Sequence, residues 1–503
     1  MIKIKKFFND MLFYLSSNFF ANFLNFITGI VVRRILEPAI MGLFNEIMLI
    51  FDYARYSHMG IIDALDREMP YFYGKKDYEK VERLKDTGFT ICLIVSLLIS
   101  IGIFIATWFI KLNGNNILVG GVRIVSLMIV LRFITSLYIV LNRSRNRFSV
   151  ISKYTIFVAV LDIVFKIFLT IKFGLYGLLW ASLLTLGIGL LYFYKASGEK
   201  LKFIFNFPFK EVVCLLKIGF PLLVMGIVFM TLTNIDRIMI IRLLDRENLG
   251  FYTIALMVNG YIAQLPSLVY GVFFPRFYQA YGEKQDIFEI KKLFMKPTLI
   301  FAYLFPILIG LVIIILPLLI HYVLPAYIPG LIPTYFLLFE SLFIALASMP
   351  IYLLVALNKQ IYIVLIGTMC IFLGVGLNYL FVKKFDLGLS GIAIGTSLVY
   401  FIYVTILIAY SYSKYTKKVL SHLGFFIKVY LPFFWILILL WALRIFTFRA
   451  SGNIYKDFYI VFYKGIVFLL SCLPLILYAN KKTGILTLAK DTYFLRKDEA
   501  SGI

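Results

Sequence analysis

Apolar residues dominate the chain in long runs that are separated by short polar breaks. A helix needs about 20 apolar residues to cross the hydrocarbon core of a bilayer, and the sequence offers fourteen such runs. The pattern therefore predicts an all-α polytopic membrane protein with about 14 transmembrane helices. The predicted spans are 11–33, 39–64, 87–110, 117–142, 152–172, 174–195, 213–236, 249–275, 294–322, 334–357, 361–382, 388–411, 427–446 and 456–478.

The composition supports this class and limits the chemistry. The chain has 503 residues, of which 62% are hydrophobic and 15% are charged, and its mean hydropathy is +0.92. The four cysteines all lie within predicted spans, and no CxxC pair occurs. The three histidines are scattered along the chain. We therefore predict neither a disulfide framework nor a metal site.

The net charge of +24 by itself would suggest a nucleic-acid partner, but the positions of the basic residues argue against one. Lys and Arg are concentrated in the loops on the side of the membrane that holds both termini, at 65–86, 143–151, 196–212 and 412–426. Basic loops favour the cytoplasmic side of a membrane. Both termini are thus predicted to be cytoplasmic, with the basic loops facing anionic lipid headgroups.

One phrase occurs twice in the chain. "RILEPAIMGLFNEI" begins at Arg34 and "RLLDRENLGFYTIA" begins at Arg242, which is 208 positions later. Gly74 and Gly282 match at the same offset, and "GLYG" from Gly174 matches "GLSG" from Gly388 at an offset of 214. Three landmarks in the same order indicate an internal duplication of spans 1–6 and 7–12. Because six is even, the two units have the same orientation, as in transporters built from parallel repeats.

The duplication predicts the domain organisation. An N-terminal six-helix lobe covers 1–211, a C-terminal six-helix lobe covers 212–412, and two additional helices with a cytoplasmic tail cover 413–503. Two such lobes form a two-lobed bundle around a central cavity, and rocking one lobe against the other gives alternating access. The alternative is an old duplication that serves only helix packing.

Several motifs resemble those of Wzx-type polysaccharide flippases, in the multidrug/oligosaccharidyl-lipid/polysaccharide exporter superfamily. "RILEPAIMG" resembles the R-x-L-x-P-x-x-x-G signature at the junction of spans 1 and 2, and "GIIDALDREMPYFYGKKDYEKV" resembles the segment after span 2. "NIDRIMIIRLLDRENLGFYTIA" resembles the junction of spans 7 and 8, and "LPAYIPG" the segment before span 10. Arg246 departs from the family pattern, in which a Gly-Pro-like turn is common.

The resemblance implies a function. Members of that family move undecaprenyl-diphosphate-linked oligosaccharide from the cytoplasmic to the outer leaflet of the bacterial inner membrane, for example in O-antigen synthesis. By this resemblance the chain is a transporter rather than an enzyme, and it needs no bound cofactor. Its expected partners are the lipid-linked oligosaccharide, the bilayer and the polysaccharide polymerase machinery. A central cleft within one chain suggests a monomer.

Basic residues within the spans are candidates for holding the diphosphate. A charge at membrane depth usually faces a wet cavity or the interior of a bundle, and arginine binds phosphate through paired hydrogen bonds. Arg132 ranks first, because the positions three and four residues away in its helix offer no acid. Arg55, Lys166 and Arg34 follow as sites that hand the diphosphate along. Arg123 ranks lower, since it lies near a helix end.

Acidic residues are candidates for coupling to a proton or Na⁺ gradient, namely Asp52, Asp162, Asp236 and Glu340. Asp52 lies three residues before Arg55, and Asp162 lies four residues before Lys166, so each pair shares a helical face. Self-neutralised pairs in a polar seam are the alternative interpretation. Most of the intramembrane charges lie in spans 1–6, which places the predicted headgroup site in the first unit.

Other functions remain open at this level. A multidrug exporter or a lipid II exporter of the same superfamily would share the fold, although a pump for cationic drugs favours acidic cavity residues. A polysaccharide polymerase usually carries a large outer loop, and the predicted outer loops here are short. A non-enzymatic assembly scaffold would not need buried arginines. The sequence contains no GxxxxGK[ST] phosphate loop.

Overall fold

The computed structural model describes residues 2–109, 116–205, 208–284, 288, 291–446, 448 and 450–483. Within these residues the chain forms fourteen α-helices, two short 3₁₀ turns and no strand. The all-α prediction is therefore confirmed. The helices are α1 Ile2–Ile35, α2 Pro38–Ala54, α3 Ile61–Gly74, α4 Tyr78–Phe109, α5 Asn116–Ser144, α6 Phe148–Ala196, α7 Phe209–Leu243, α8 Arg246–Lys284, α9 Lys291–Val323, α10 Leu331–Ala356, α11 Gln360–Lys383, α12 Gly388–Tyr412, α13 Val419–Ala442 and α14 Ile454–Thr483.

Ten helical segments in the described part of the chain are long and apolar enough to cross a membrane. The chain is thus a multi-pass membrane protein. The remaining four predicted spans fall in α2 and α3, in the two halves of α6, and in α8. The two C-terminal helices, α13 and α14, are both present, while the tail of the predicted third region beyond residue 483 lies outside the described residues.

The chain divides into two compact units, Met1–Thr253 and Ile254–Ile503. In the first unit α1 packs on α6, and α5 packs on α2, α4 and α6, while α3 lies against α4, α5 and α7. In the second unit α10 packs on α9 and α12, and α9 also packs on α13 and α14. The six-helix lobes predicted with boundaries at 211/212 and 412/413 stay a prediction.

The predicted span 39–64 is not one continuous helix. α2 ends at Ala54, a 3₁₀ turn covers Arg55–His58, and Met59 and Gly60 follow in the left-handed region with φ of 51° and 82°. Two consecutive left-handed residues cannot continue a right-handed helix, so α3 starts anew at Ile61. The break gives Arg55 a position in a turn rather than in a helix.

The first glycines of the matching "GLYG" and "GLSG" stretches both have a positive φ. Gly174 has φ 57° and interrupts α6, so that α6 consists of two helices joined by a tight turn. A Cβ atom added at Gly177 would lie 1.9 Å from the carbonyl oxygen of Leu169, which explains the small residue there. Gly388 has φ 51° and opens α12. The similarity supports the predicted repeat without establishing it.

Candidate functional site

The two copies of the repeated phrase contact each other within the first unit. A Cβ atom at Gly42 in α2 would lie 1.9 Å from the carbonyl oxygen of Arg246, and one at Gly250 in α8 would lie 1.8 Å from that of Pro38. Gly42 and Gly250 are 208 positions apart, and so are Pro38 and Arg246. The contact is therefore reciprocal, with the glycine of each copy resting on the first turn of the other copy.

Polar contacts reinforce this junction. The Arg246 Nε donates to Glu46 Oε2 at 2.7 Å, and both side chains are partly buried. Arg33, in the last turn of α1, donates to the hydroxyl of Thr253 at 3.1 Å and to its carbonyl oxygen at 3.0 Å. These contacts hold the start of α8 against the last turn of α1 and the first half of α2. We call this group, made of Arg33, Gly42, Glu46, Arg246, Gly250 and Thr253, the glycine junction.

A second close approach lies at the break after α2. A Cβ atom at Gly60 would come within 2.2 Å of the carbonyl oxygen of Gly219 in α7, and one at Gly219 would come within 2.0 Å of that of Gly60. The Tyr56 ring covers Gly226, one heptad further along α7. The turn that carries Arg55 is thus seated on the glycine face of α7.

Four charged side chains gather between these two contacts. The Arg237 Nη1 lies 3.3 Å from Asp52 Oδ2, which joins α7 to α2. Arg55 and Arg132 also interact electrostatically with Asp52. This group, which we call the arginine cluster, combines three guanidinium groups with one carboxylate.

The cluster keeps donors available. Among the described residues, no hydrogen bond or ion pair is formed by the half-buried Arg132, and the buried Nε of Arg237 has no partner. A guanidinium group carries five N–H donors, and unmatched buried donors are costly. The cluster is therefore suited to an anion with several acceptor oxygens.

The other predicted basic residues lie elsewhere. Lys166 is paired with Asp162 at 2.6 Å, so this pair neutralises itself as the alternative interpretation held. Arg123 donates to Thr107 Oγ1 at 3.0 Å and lies 4.7 Å from the centre of the Trp108 ring. Arg34 is exposed at the end of α1. Arg55 and Arg132 are the two predicted basic residues that the structure brings together. The ordered hand-off of a diphosphate stays a prediction.

The predicted acids have distinct surroundings. Asp236 is buried, and its Oδ1 accepts the backbone N–H of Arg237 at 2.7 Å. In the second unit, the buried Glu340 accepts a hydrogen bond from Asn259 Nδ2 at 3.1 Å. Asp52 joins the arginine cluster. Within the part of the chain that the structure describes, no group of three or more His, Cys, Asp or Glu side chains is arranged to hold a metal ion.

Sequence reasoning missed three residues of these sites. Arg237 was not among the candidate residues, yet it reaches Asp52 across 185 positions. Arg246 was noted only as a departure from a family pattern, and Arg33 was not singled out. The available signal was the repeated phrase, because matching phrases that start helices at the same membrane level are able to meet.

The chain is similar to known membrane proteins in sequence and in fold. A family model described as "Polysaccharide biosynthesis protein" matches residues 31–325, which is more than half of the chain. No curated protein matches the sequence.

Among solved structures, an inward-facing multidrug resistance MATE family transporter of the MOP superfamily matches with a TM-score of 0.65 at 16% identity, over 80% of this chain and 98% of that one. The lipid II flippase MurJ, in an inward closed conformation, matches with a TM-score of 0.63 at 15% identity, over 91% of this chain and 98% of that one. At such identities the likeness shows the fold.

Removing a junction glycine should loosen the glycine junction. In Gly42→Ala the added Cβ overlaps a carbonyl oxygen, and overpacking of this kind costs about 1–3 kcal/mol, or roughly 5- to 150-fold in population. We expect a membrane-impermeant maleimide to label a cysteine at the buried Met41 faster by a factor in this range. The background is Cys214→Ser, because Cys214 is exposed while the other native thiols are buried.

The matched control is Gly102→Ala in α4, where an added Cβ meets no atom within 4 Å. It should leave the labelling rate unchanged. Equal rates for Gly42→Ala, Gly102→Ala and the parent would contradict the close contact.

The ion pair of the junction should show coupling in a charge-reversal cycle. Glu46→Arg and Arg246→Glu each place like charges together, whereas the double variant restores an opposite pair. Contacting residues typically show interaction energies of about 0.5–3 kcal/mol, and we expect a value in that range from denaturant unfolding of the purified protein. The more exposed pair Asp66–Arg143, at 2.9 Å, should give less. A cycle that closes without interaction energy at Glu46 and Arg246 would exclude a structural role for the pair.

Proposed function

We propose, from the premise that the chain belongs to the family of polysaccharide biosynthesis proteins, that it is a flippase for a lipid-linked oligosaccharide. The family match confirms the resemblance to polysaccharide flippases seen in the motifs. The cargo we propose is an oligosaccharide repeat unit linked to undecaprenyl diphosphate, moved from the cytoplasmic to the outer leaflet. The observation that carries the proposal is the arginine cluster of Arg55, Arg132 and Arg237 around Asp52.

The cluster matches the chemical problem of such a cargo. The sugar needs a roomy wet passage and the polyprenyl tail stays in lipid, but a bare diphosphate cannot enter hydrocarbon. Guanidinium groups hold phosphate oxygens in bidentate pairs. Three arginines and one aspartate leave two net positive charges, which balance the charge of a diphosphate diester.

Asp52 has a role in the empty state. Its carboxylate neutralises Arg237 across α2 and α7, so that less positive charge is left without a partner in a low-dielectric site. An arriving diphosphate competes with this carboxylate for Arg237. We propose that Asp52, once displaced, takes up a proton or Na⁺, with Asp236 and Glu340 as further coupling candidates.

The glycine junction supplies the conformational part of the proposal. Closure at this junction and opening at the opposite side of the bilayer describe one end state of alternating access. Opening requires that Gly42 separate from Gly250 and Glu46 from Arg246. The residues that meet in the first contact are glycines, so no side chains have to be withdrawn from one another there, and this keeps the cost of separation low.

Two related functions are less well supported. A multidrug exporter for cationic compounds would face a site of like charge in the arginine cluster. A lipid II exporter would use the same diphosphate chemistry and differ only in its sugar, and the family match to polysaccharide biosynthesis favours the oligosaccharide repeat unit as the cargo we propose. We regard the chain as a non-enzymatic monomer of the bacterial inner membrane with both termini cytoplasmic, which functions beside a polysaccharide polymerase.

Removing Arg132 should slow transport strongly without preventing insertion. A hydrogen bond to a charged group contributes about 1.5–3 kcal/mol, so Arg132→Ala should slow flipping by roughly 10- to 150-fold, with Arg132→Lys in between. The assay is translocation of undecaprenyl-diphosphate-linked oligosaccharide in proteoliposomes. Arg123→Ala removes an arginine from the same helix outside the cluster and should flip at the normal rate. Normal flipping by a well-folded Arg132→Ala protein would defeat the assignment.

Depletion of the protein in cells should change the leaflet that holds the lipid-linked glycan. We expect units of normal composition to accumulate in the cytoplasmic leaflet, where an added outer-surface glycosidase cannot reach them. Unpolymerised units in the outer leaflet would instead indicate a polymerase. Unaltered lipid-linked intermediates would favour a drug exporter.

A further inference from the structure

The chain that follows α6 forms a strap that is held by contacts to neighbouring helices. We use this name for residues 197–205, which precede the first turn of α7 at Phe209. The sequence from Lys200 to Phe205 reads KLKFIF, and α7 opens with PFK from Pro208 to Lys210. Lysine and phenylalanine thus occur both in the strap and in the first turn of α7.

Ionic contacts of the buried Glu199 hold the N-terminal end of the strap. The Glu199 side chain is buried and lies 2.6 Å from Arg145 Nη1 and 3.6 Å from Arg147 Nη1, both in the connection between α5 and α6. Arg145 also donates to Glu82 in α4 at 3.0 Å. Tyr138 donates to the Glu199 carbonyl oxygen at 3.5 Å. The strap is therefore anchored to the first unit before it reaches the membrane.

Backbone hydrogen bonds then lead the strap along α4. The N–H of Lys202 donates to Asp86 Oδ1 at 3.3 Å, and the N–H of Ile204 donates to Thr90 Oγ1 at 3.1 Å. The four-residue step from Asp86 to Thr90 rises about 6 Å along a helix, and the two-residue step from Lys202 to Ile204 covers about 6.6 Å in an extended chain. The two lengths match, so the strap can run alongside α4. Thr90 lies inside the predicted span 87–110. The strap thus runs from the polar end of α4 towards the hydrocarbon.

The outward side of the strap is both apolar and basic. Phe205 is 92% exposed, Phe209 is 75% exposed and Phe203 is 40% exposed. Lys200, Lys202 and Lys210 are exposed, and within the described ranges none of them forms an ion pair. The nearby acids are already engaged, since Glu199 pairs with Arg145, Asp86 lies 3.8 Å from Lys85, and Glu211 lies 3.6 Å from Arg83.

We propose that the strap and the first turn of α7 form a binding site for an anionic phospholipid of the inner leaflet. The three lysines meet the phosphate and headgroup, where each basic residue near an anionic surface adds to binding. The phenylalanines enter the boundary between headgroups and acyl chains, as apolar residues of interfacial elements do. The site lies outside the arginine cluster, and it is tested without any transport assay.

The first experiment measures lipid binding to the full-length protein. The protein is released from nanodiscs of equal phosphatidylglycerol and phosphatidylcholine and analysed by native mass spectrometry. The triple variant Lys200→Gln, Lys202→Gln, Lys210→Gln should retain at least tenfold less phosphatidylglycerol at its highest-affinity site, with phosphatidylcholine unchanged. The control triple Lys414→Gln, Lys417→Gln, Lys418→Gln makes the same charge change in the connection between α12 and α13, and should bind as the parent does.

Equal losses of bound phosphatidylglycerol in the two triple variants would mean that only the net charge matters, and this would overturn the proposal. Unchanged phosphatidylglycerol binding by the strap variant would overturn it as well.

The second experiment does not depend on a loss of binding. A photoreactive benzoylphenylalanine at Phe205 should give acyl-chain adducts severalfold more often than one at Tyr78, which is exposed at the polar start of α4. Equal yields at the two positions would place Phe205 in water and overturn the proposal.

Discussion

The close approach of backbones at glycines is the constraint on which the first unit depends. At Gly42 with Gly250, and again at Gly60 with Gly219, an added Cβ would lie about 2 Å from a carbonyl oxygen of the other segment. Lipid is as apolar as leucine, so helices in membranes associate through close packing rather than through the hydrophobic effect. These two contacts hold α2 against α7 and the start of α8. Only with that arrangement does Asp52 reach Arg237.

The charges follow from this packing rather than the reverse. An isolated arginine at membrane depth is costly, yet Arg55, Arg132 and Arg237 share one carboxylate. The glycine contacts prepare the cluster in advance, so that a diphosphate finds its donors already oriented and needs little ordering of the protein. The strap is organised in a similar way, because hydrogen bonds to Asp86 and Thr90 hold its backbone in place while its lysines and phenylalanines stay exposed.

The sequence predicted the helical class, and it offered three of the four members of the arginine cluster, Asp52, Arg55 and Arg132, as candidate residues. These predictions rest on apolar run length, on the three-residue spacing of Asp52 and Arg55 and on the lack of an acid near Arg132 within its helix, all of which are local. The partners of Asp52 and Glu46 could not be predicted, because each acid pairs with an arginine about 200 positions away. Asp162 and Lys166 pair within one turn, as the alternative interpretation of their spacing held, while Lys166 as a diphosphate contact and Asp162 as a coupling acid stay predictions. The break at Met59 and Gly60 was also missed, since an apolar run does not reveal a left-handed residue.

The reciprocal seating of the two repeated phrases has a consequence for how the gene can change. In most duplicated proteins each copy is free to diverge once its own surroundings tolerate the change. Here each glycine is constrained by the first turn of the other copy, so a larger residue in either phrase disturbs both. The two phrases therefore resemble a homodimer interface within one chain. A larger residue in one phrase requires a compensating change in the other. If the two phrases descend from the duplication that the sequence predicts, this mutual dependence favours their likeness across the offset of 208 positions.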